Sequence, residues 1–292
     1  MFVMVENIIK INLKGGLCNK LYCFFSACDI AIKNNIKILE PKFGWPLRSI
    51  LFSDIYDLDK FNQNMKPHNN GHNLIIPHND ASKYTIKQNN INLWNYSEKR
   101  RKSMRGDCMI PKSCMQLTVL RSLELNKKNK LISKQNVNEE LNAMQIRIES
   151  DWQEYNNWKN VPIGETLLIK LDDLIEMYKK FTNEGVFFTT GENHINIKEK
   201  FISNRISANF FFDPKLEYEV NAAINFEVCC QAKQFIGLSR STFSGLIALK
   251  RFIDGNGDSY IYNLNNDILR RTDAGLQMNA VFATTKKTYI VN

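Results

Sequence analysis

Apolar positions along the chain follow two periods, and the changes between them divide it into elements. The run from Ile8 to Leu13 is apolar-rich and ends at Lys14-Gly15-Gly16, which predicts a strand closed by a turn. From residue 18 to 33 the period changes. Leu21, Phe24, Phe25, Cys28 and Ile32 then fall on one side of a helix that stops at Asn34-Asn35. Residues 36–39 read as the next strand, which completes one strand–turn–helix–strand unit of a parallel sheet. Between 41 and 112 the signal weakens to short helices or packed loops around Trp45, Phe52, Tyr56 and Phe61. A turn follows at 69–72, and a short strand is predicted at 74–76. A helix resumes near Lys112 with Met115, Leu117, Leu120 and Leu123, and the polar stretch 126–130 reads as the start of a linker.

The second half alternates more cleanly. Strands are predicted at 144–148, 186–190, 209–212, 234–237 and 259–262, and helices at 166–181, 195–202, 218–233 and 241–252. Strands alternating with helices of this length mean a doubly wound α/β sheet. A boundary between 126 and 142 gives two Rossmann-like domains, 1–140 and 141–292. In open α/β sheets ligands bind beyond the carboxyl ends of the strands, so the loops after Leu13, Ile148, Thr190 and Gly237 are the expected site.

Composition narrows the partners. With 292 residues, 43% of them hydrophobic, the chain can bury a substantial core. Its 39 Lys and Arg against 30 Asp and Glu leave a formal charge of +9, which favours an anionic partner. No apolar run approaches the roughly eighteen residues of a membrane-spanning helix. Residues 1–6 lack the pattern of a signal peptide. Seven cysteines sit singly or in helix-like surroundings, at spacings that match no zinc site. The expectation is a cytoplasmic protein with buried, reduced thiols, no bound metal and no cofactor.

Three segments carry candidate chemistry. Gly15-Gly16-Leu17-Cys18-Asn19 turns from a strand into a helix and brings a helix N-terminus toward a ligand. Arg147 alternates with Ile146 and Ile148 near a strand end, where a guanidinium needs an anionic partner. That partner is either Glu149 or Asp151, in a salt bridge, or a ligand phosphate. Ser239, Arg240, Ser241, Thr242 and Phe243 lie between a strand and a helix, where hydroxyls and free N–H groups serve either as a phosphate cradle or as plain N-caps.

Taken in order, these segments resemble the fucosyltransferase superfamily of GT-B fold, most closely the protein O-fucosyltransferases. Gly15-Gly16-Leu17-Cys18-Asn19-Lys20 is similar to that family's Gly-x-x-Gly-Asn-Gln turn. Gln145-Ile146-Arg147, with the trailing Ser150-Asp151-Trp152, is similar to its His-x-Arg strand, and 226–244 is similar to its last donor-binding segment. The resemblance implies two Rossmann-like domains facing each other across a crevice. It implies a metal-independent, inverting glycosyltransferase that moves a sugar from a nucleotide-sugar donor, GDP-fucose in the first place, to a glycan acceptor. In that reading Arg147 neutralises the departing β-phosphate, and Asn19 contacts donor or acceptor from the opposite domain. Ser241, Thr242 and Phe243 hold the phosphates and nucleoside.

This chain departs from the pattern at Cys18, Lys20 and Gln145, and by Gly191 where the family tends to carry an acidic residue. The departures leave other donors open, such as a UDP-pentose, and the acceptor is then a glycan made in the cytosol of a microbe or a virus-infected host. Asp151, Glu149 and Asp80 rank in that order as candidate general bases. His72 and His78 lie on loops of the first half. Two other functions compete: a glycan binder without catalysis, and a nucleic-acid-binding protein suggested by the charge and by Lys99-Arg100-Arg101-Lys102. The latter lacks any recognisable binding motif.

Overall fold

The computed structural model describes residues 7–44, 50–88, 93, 115–149 and 165–271. The chain forms two compact units. One comprises residues 1–132 with 213–224, and the other 133–212 with 225–292. Hydrophobic periodicity gives no sign of the return at 213–224, because no break in pattern marks it.

In the first unit a parallel four-stranded sheet runs in the order β3-β2-β1-β4. Its strands are β1 (Asn7–Lys10), β2 (Lys37–Leu39), β3 (Ile75–Ile76) and β4 (Thr85–Gln88). Helix α1 (Leu17–Lys33) joins β1 to β2, as its apolar period requires. Its face carries Phe24, which meets Phe52 and Phe61 at 5.4 and 5.5 Å between ring centroids. Phe52 lies on α2 (Phe52–Ile55) and Phe61 on α3 (Leu58–Met65), so the weakly patterned 41–112 stretch supplies an aromatic core. Lys20, buried in the first turn of α1, is paired at 2.6 Å with Glu219, also buried, in the return segment.

Helix α4 (Met115–Ser122) stands where expected, but the polar stretch after it is also helical, as α5 (Lys127–Asn136). The stretch looked like a linker because its inward residues are amides. Asn126 caps Asn129 N–H at 3.0 Å, and the Asn129 side chain donates to the carbonyls of Asp54 and Ile55 at 2.9 and 3.1 Å. These bonds satisfy the free C-terminal carbonyls of α2, so the burial is polar and leaves no hydrophobic period.

The second unit holds a six-stranded sheet ordered β10-β9-β8-β5-β6-β7, parallel except for β10. Its strands are β5 (Asn142–Gln145), β6 (Val186–Thr189), β7 (Ala208–Asn209), β8 (Phe235–Gly237), β9 (Ser259–Leu264) and β10 (Asp267–Arg270). The crossovers are α6 (Leu171–Phe181), α7 (His194–Ser203), α8 (Tyr218–Gln231, whose residues up to Ile224 belong to the first unit) and α9 (Thr242–Asp254). One core of Met144, Leu174, Tyr178, Phe188, Phe201 and Ile236 packs between α6, α7 and the sheet.

Four expectations shift. The 144–148 strand ends at Gln145, so Arg147 and Glu149 lie beyond it. The 166–181 helix begins only at Leu171. Before it, Glu165 bridges Leu264 and Thr166 N–H donates to Asn263 at 2.9 Å, which pulls 165–166 against the β9 edge. The 209–212 strand shrinks to two residues. The final strand, in turn, gains a hairpin partner, β10, through Asn265 and Asn266, both left-handed at φ 56° and 52°.

Arg251, fully buried on α9, serves the fold rather than a ligand. Its guanidinium donates to the carbonyls of Cys229, Cys230, Ala232 and Lys233 at 3.2, 3.0, 2.6 and 3.0 Å, and to those of Asn256 and Asp258. It thereby satisfies the C-terminal end of α8. Because each buried carbonyl left unpaired costs about 1–3 kcal/mol, Arg251→Met is expected to lower unfolding free energy by at least ~3 kcal/mol, read from urea denaturation. Arg251→Lys should recover only a minor part, since a lysine lacks the planar fork.

Candidate anion site at the switch point of the second sheet

From β5 the chain moves outward to β6 and β7, then returns to lay β8 and β9 on the opposite side of β5. The order therefore reverses between β5 and β8. That is where an open α/β sheet leaves a crevice at its carboxyl edge. The register Met144–Ile236 brings the segments after the two strands side by side, and these carry Arg147 and residues 239–243. The first unit has the same arrangement around β1, flanked by β2 and β4, with Gly15–Asn19 after it.

The two sides of the switch point are tied by one hydroxyl. Ser244 Oγ donates to Gln145 Oε1 and accepts Leu238 N–H at 2.9 Å. A Cβ at Gly237 would lie 2.2 Å from that oxygen, so only glycine fits there.

Arg147 is fixed at both ends. Its backbone N–H donates to the Tyr262 hydroxyl at 3.2 Å, and burial pushes that phenol's pKa up and keeps it protonated. Its Nε lies 3.2 Å from Glu149 Oε2, as an ion pair rather than an aligned hydrogen bond. The other oxygen, Glu149 Oε1, accepts Gly191 N–H at 2.8 Å. Both oxygens of Glu149 are thus engaged, which suits a partner of Arg147 better than a general base. Asp151 lies outside the described residues, as do Lys99–Lys102 and Trp152. Asp80 pairs with Lys83 in the first unit.

The 239–243 segment divides by role. Ser239 is fully buried: its N–H donates to Asn263 Oδ1 at 2.9 Å and its hydroxyl to Glu165. Arg240 Nε donates to the same glutamate at 2.8 Å, and Asn263 Nδ2 at 3.2 Å. Glu165 is a buried carboxylate with three donors, which is what makes its burial tolerable. Ser239 and Arg240 thus shape the loop from within. Ser241 caps α9, accepting Ser244 N–H at 3.4 Å, and Phe243 packs edge-on against Phe226 at 5.8 Å. Thr242 and Phe243 are half-buried at the helix start. Sequence reasoning missed Glu165, Tyr262 and Asn263 as site components, and noted Gly191 only as a departure from the family pattern. A polar Asn263 inside the apolar 259–264 strand was the available signal.

In the first unit Gly15 adopts φ 80°, and a Cβ there would lie 2.7 Å from Asn19 Nδ2. The half-buried Asn19 Oδ1 finds no hydrogen-bond partner among the described residues, and Gly16, the N-cap of α1, offers no side-chain cap. Cys18, Cys23, Cys28, Cys229 and Cys230 are buried free thiols, and Cys108 and Cys114 lie outside the described residues. Among the described residues no group of three His, Cys, Asp or Glu side chains is placed to hold a metal, and no helix is long and apolar enough to cross a membrane. An open cleft of about 670 Å³ lies apart from Arg147, lined by Asn136, Glu139, Glu140, Phe187 and Asn209.

No family model and no curated protein sequence matches the chain. Solved structures do. A crystal structure of POFUT1 in complex with GDP superposes with a TM-score of 0.59 at 10% identity, over 89% of this chain and 97% of that one. POFUT1 in complex with GDP-fucose gives 0.57 at 11%, over 88% and 96%. The fucosyltransferase NodZ from Bradyrhizobium gives 0.56 at 10%, over 91% and 97%. The fold is that of the GT-B fucosyltransferases. Of the segments that carried the resemblance, Gly15–Lys20 follow β1, Arg147 follows β5 and 239–243 follow β8, while Ser150–Trp152 lie outside the described residues.

Three residues after Gly191, His194 opens α7 with its ring stacked on Phe212 at 5.0 Å and tilted against Phe210 at 4.9 Å. Burial lowers its pKa, partly offset by a hydrogen bond to the Thr190 backbone. A histidine whose folded pKa is depressed binds fewer protons folded than unfolded. Its contribution is therefore complete above the ordinary value near 6.5 and is lost as pH falls through that value toward the folded pKa. Melting temperature should accordingly drop between about pH 7 and 5, and by less in His194→Phe than in the wild type.

Proposed function

We propose that the chain is a glycosyltransferase that takes its sugar from a nucleotide-sugar diphosphate, with GDP-fucose the first candidate donor. One observation carries the reading: Arg147 follows β5 at the switch point of the second sheet, and the neighbouring strand β8 leads into the N-terminus of α9. Support comes also from the likeness to POFUT1 and NodZ, each solved with GDP or GDP-fucose.

In this reading the Arg147 guanidinium faces the phosphate that departs as the glycosidic bond to the nucleotide breaks. Placed charge of this kind stabilises the developing negative charge without reorganising at the moment of reaction. The N–H groups of the first turn of α9, with the hydroxyls of Ser241 and Thr242, complete the phosphate contacts. Phe243 offers a ring to the nucleoside. Metal independence follows if these groups carry the leaving group's charge alone. Transfer then inverts the anomeric carbon in a single displacement, and a glycan hydroxyl is the acceptor. Asn19 Oδ1, an acceptor without a partner among the described residues, suits a sugar hydroxyl. The proton from the attacking hydroxyl is assigned to Asp151.

Thermal shift with a panel of GDP- and UDP-sugars, run with EDTA present, tests the reading. Stabilisation by one donor series is expected, and none by any nucleotide would overturn it. Stabilisation without transfer to any acceptor would point to a glycan binder. Arg147→Ala should lower kcat by roughly 10²–10³-fold with an unchanged far-ultraviolet spectrum. Arg240→Ala, whose guanidinium is held by Glu165, should affect stability more than transfer.

A further inference from the structure

We propose that Glu149 is a positioning residue that sets the direction of the Arg147 guanidinium, and that the absence of a side chain at position 191 is what allows it to do so. The inference rests on the reading that Arg147 meets the donor's phosphate, and it concerns how that group is aimed.

The geometry distinguishes this role from two others. As a general base, Glu149 would need an oxygen turned toward an acceptor hydroxyl. Instead Oε2 faces Arg147 Nε at 3.2 Å and Oε1 takes Gly191 N–H at 2.8 Å. As an ordinary surface ion pair it would contribute little and would demand nothing of its neighbours. Yet the pair is largely enclosed, with side chains 27% and 17% exposed. It also makes a demand. A Cβ at position 191 would lie 2.8 Å from Oε1 and 3.1 Å from Cγ, so any residue but glycine pushes the carboxylate away.

The carboxylate is therefore clamped between the ends of two neighbouring strands, β5 and β6. Arg147 is held from behind by Tyr262 and from the side by Glu149. The Nε edge is buried against the glutamate, and the exposure of the side chain lies on its other atoms. A guanidinium oriented this way meets a phosphate without first searching rotamers. Misplacing a reacting group by about 1 Å can cost on the order of 10²-fold in rate.

The test compares Glu149→Gln, Gly191→Ala and the double variant in the full chain. The first keeps the shape and the acceptor for Gly191 N–H but removes the charge facing Arg147. The second keeps the charge and displaces it. Each is expected to lower kcat with GDP-fucose by roughly 10-fold or more, with KM for the donor within about 3-fold. The double variant should lose no more than the worse single one, because both changes release the same group. A Gly191→Ala enzyme with wild-type kcat, multiplying losses, or a pH–rate profile that loses its acidic limb only in Glu149→Gln would overturn the proposal.

The ¹⁵N–¹H resonance of Arg147 Nε gives a readout that needs no activity. Both single variants should shift it and speed its exchange with solvent. If it stays unmoved in Gly191→Ala, the proposal fails even where nucleotide binds. If wild-type protein binds no nucleotide sugar by calorimetry, the functional reading fails, and the positioning role is then decided on this resonance alone.

Discussion

The second unit is organised around the shared hydroxyl of Ser244. One oxygen joins the last residue of β5 to the first residue after β8, across the point where the strand order reverses. Strand pairing already sets the segments after β5 and β8 side by side, and this oxygen adds a tie that joins the start of α9 to the central strand. A buried hydroxyl that both donates and accepts is also fully satisfied, so the tie costs no desolvation penalty beyond its own ordering.

Charge at the crevice follows from the same economy of pairing. Each arginine beside it has its own glutamate, and the two pairs differ in depth. Glu165 is interior, takes donors from Arg240, Ser239 and Asn263, and holds a loop in place. Glu149 stands nearer the surface and leaves its arginine partly exposed. Removing the partner of a buried charge is costly, about 3–5 kcal/mol. The two arginines thus differ mainly in the setting of their glutamates, one fully enclosed and one partly exposed.

Much of the architecture was legible because the second half alternates buried parallel strands with helices. α1, α7, α8 and α9 stand within two residues of their expected bounds, apart from small end shifts. What escaped was held by polar groups. The α5 helix is anchored by Asn126 and Asn129, which read as linker composition. The 165–170 segment is drawn into an extended path by bridges to β9 that lie a hundred residues away in sequence. At the site, Arg147 was legible as a strand-end cation, with an ion pair to Glu149 among the open alternatives. The seating of that carboxylate against Gly191, whose significance lies in a side chain it lacks, was not legible. Ser239 looked like a ligand hydroxyl, and only its complete burial shows that its partner is internal.

Arg251 has a consequence for the order in which the protein is made. The carbonyls it satisfies at Cys229, Cys230 and Ala232 precede it by 22, 21 and 19 residues. A nascent chain therefore presents the end of α8 with its carbonyls open until the whole of α9 has left the ribosome. The turn at 255–258 must then fold back to share the same guanidinium. The end of α8 is completed only once α9, the last crossover, is in place, so its final capping waits for a residue far down the chain.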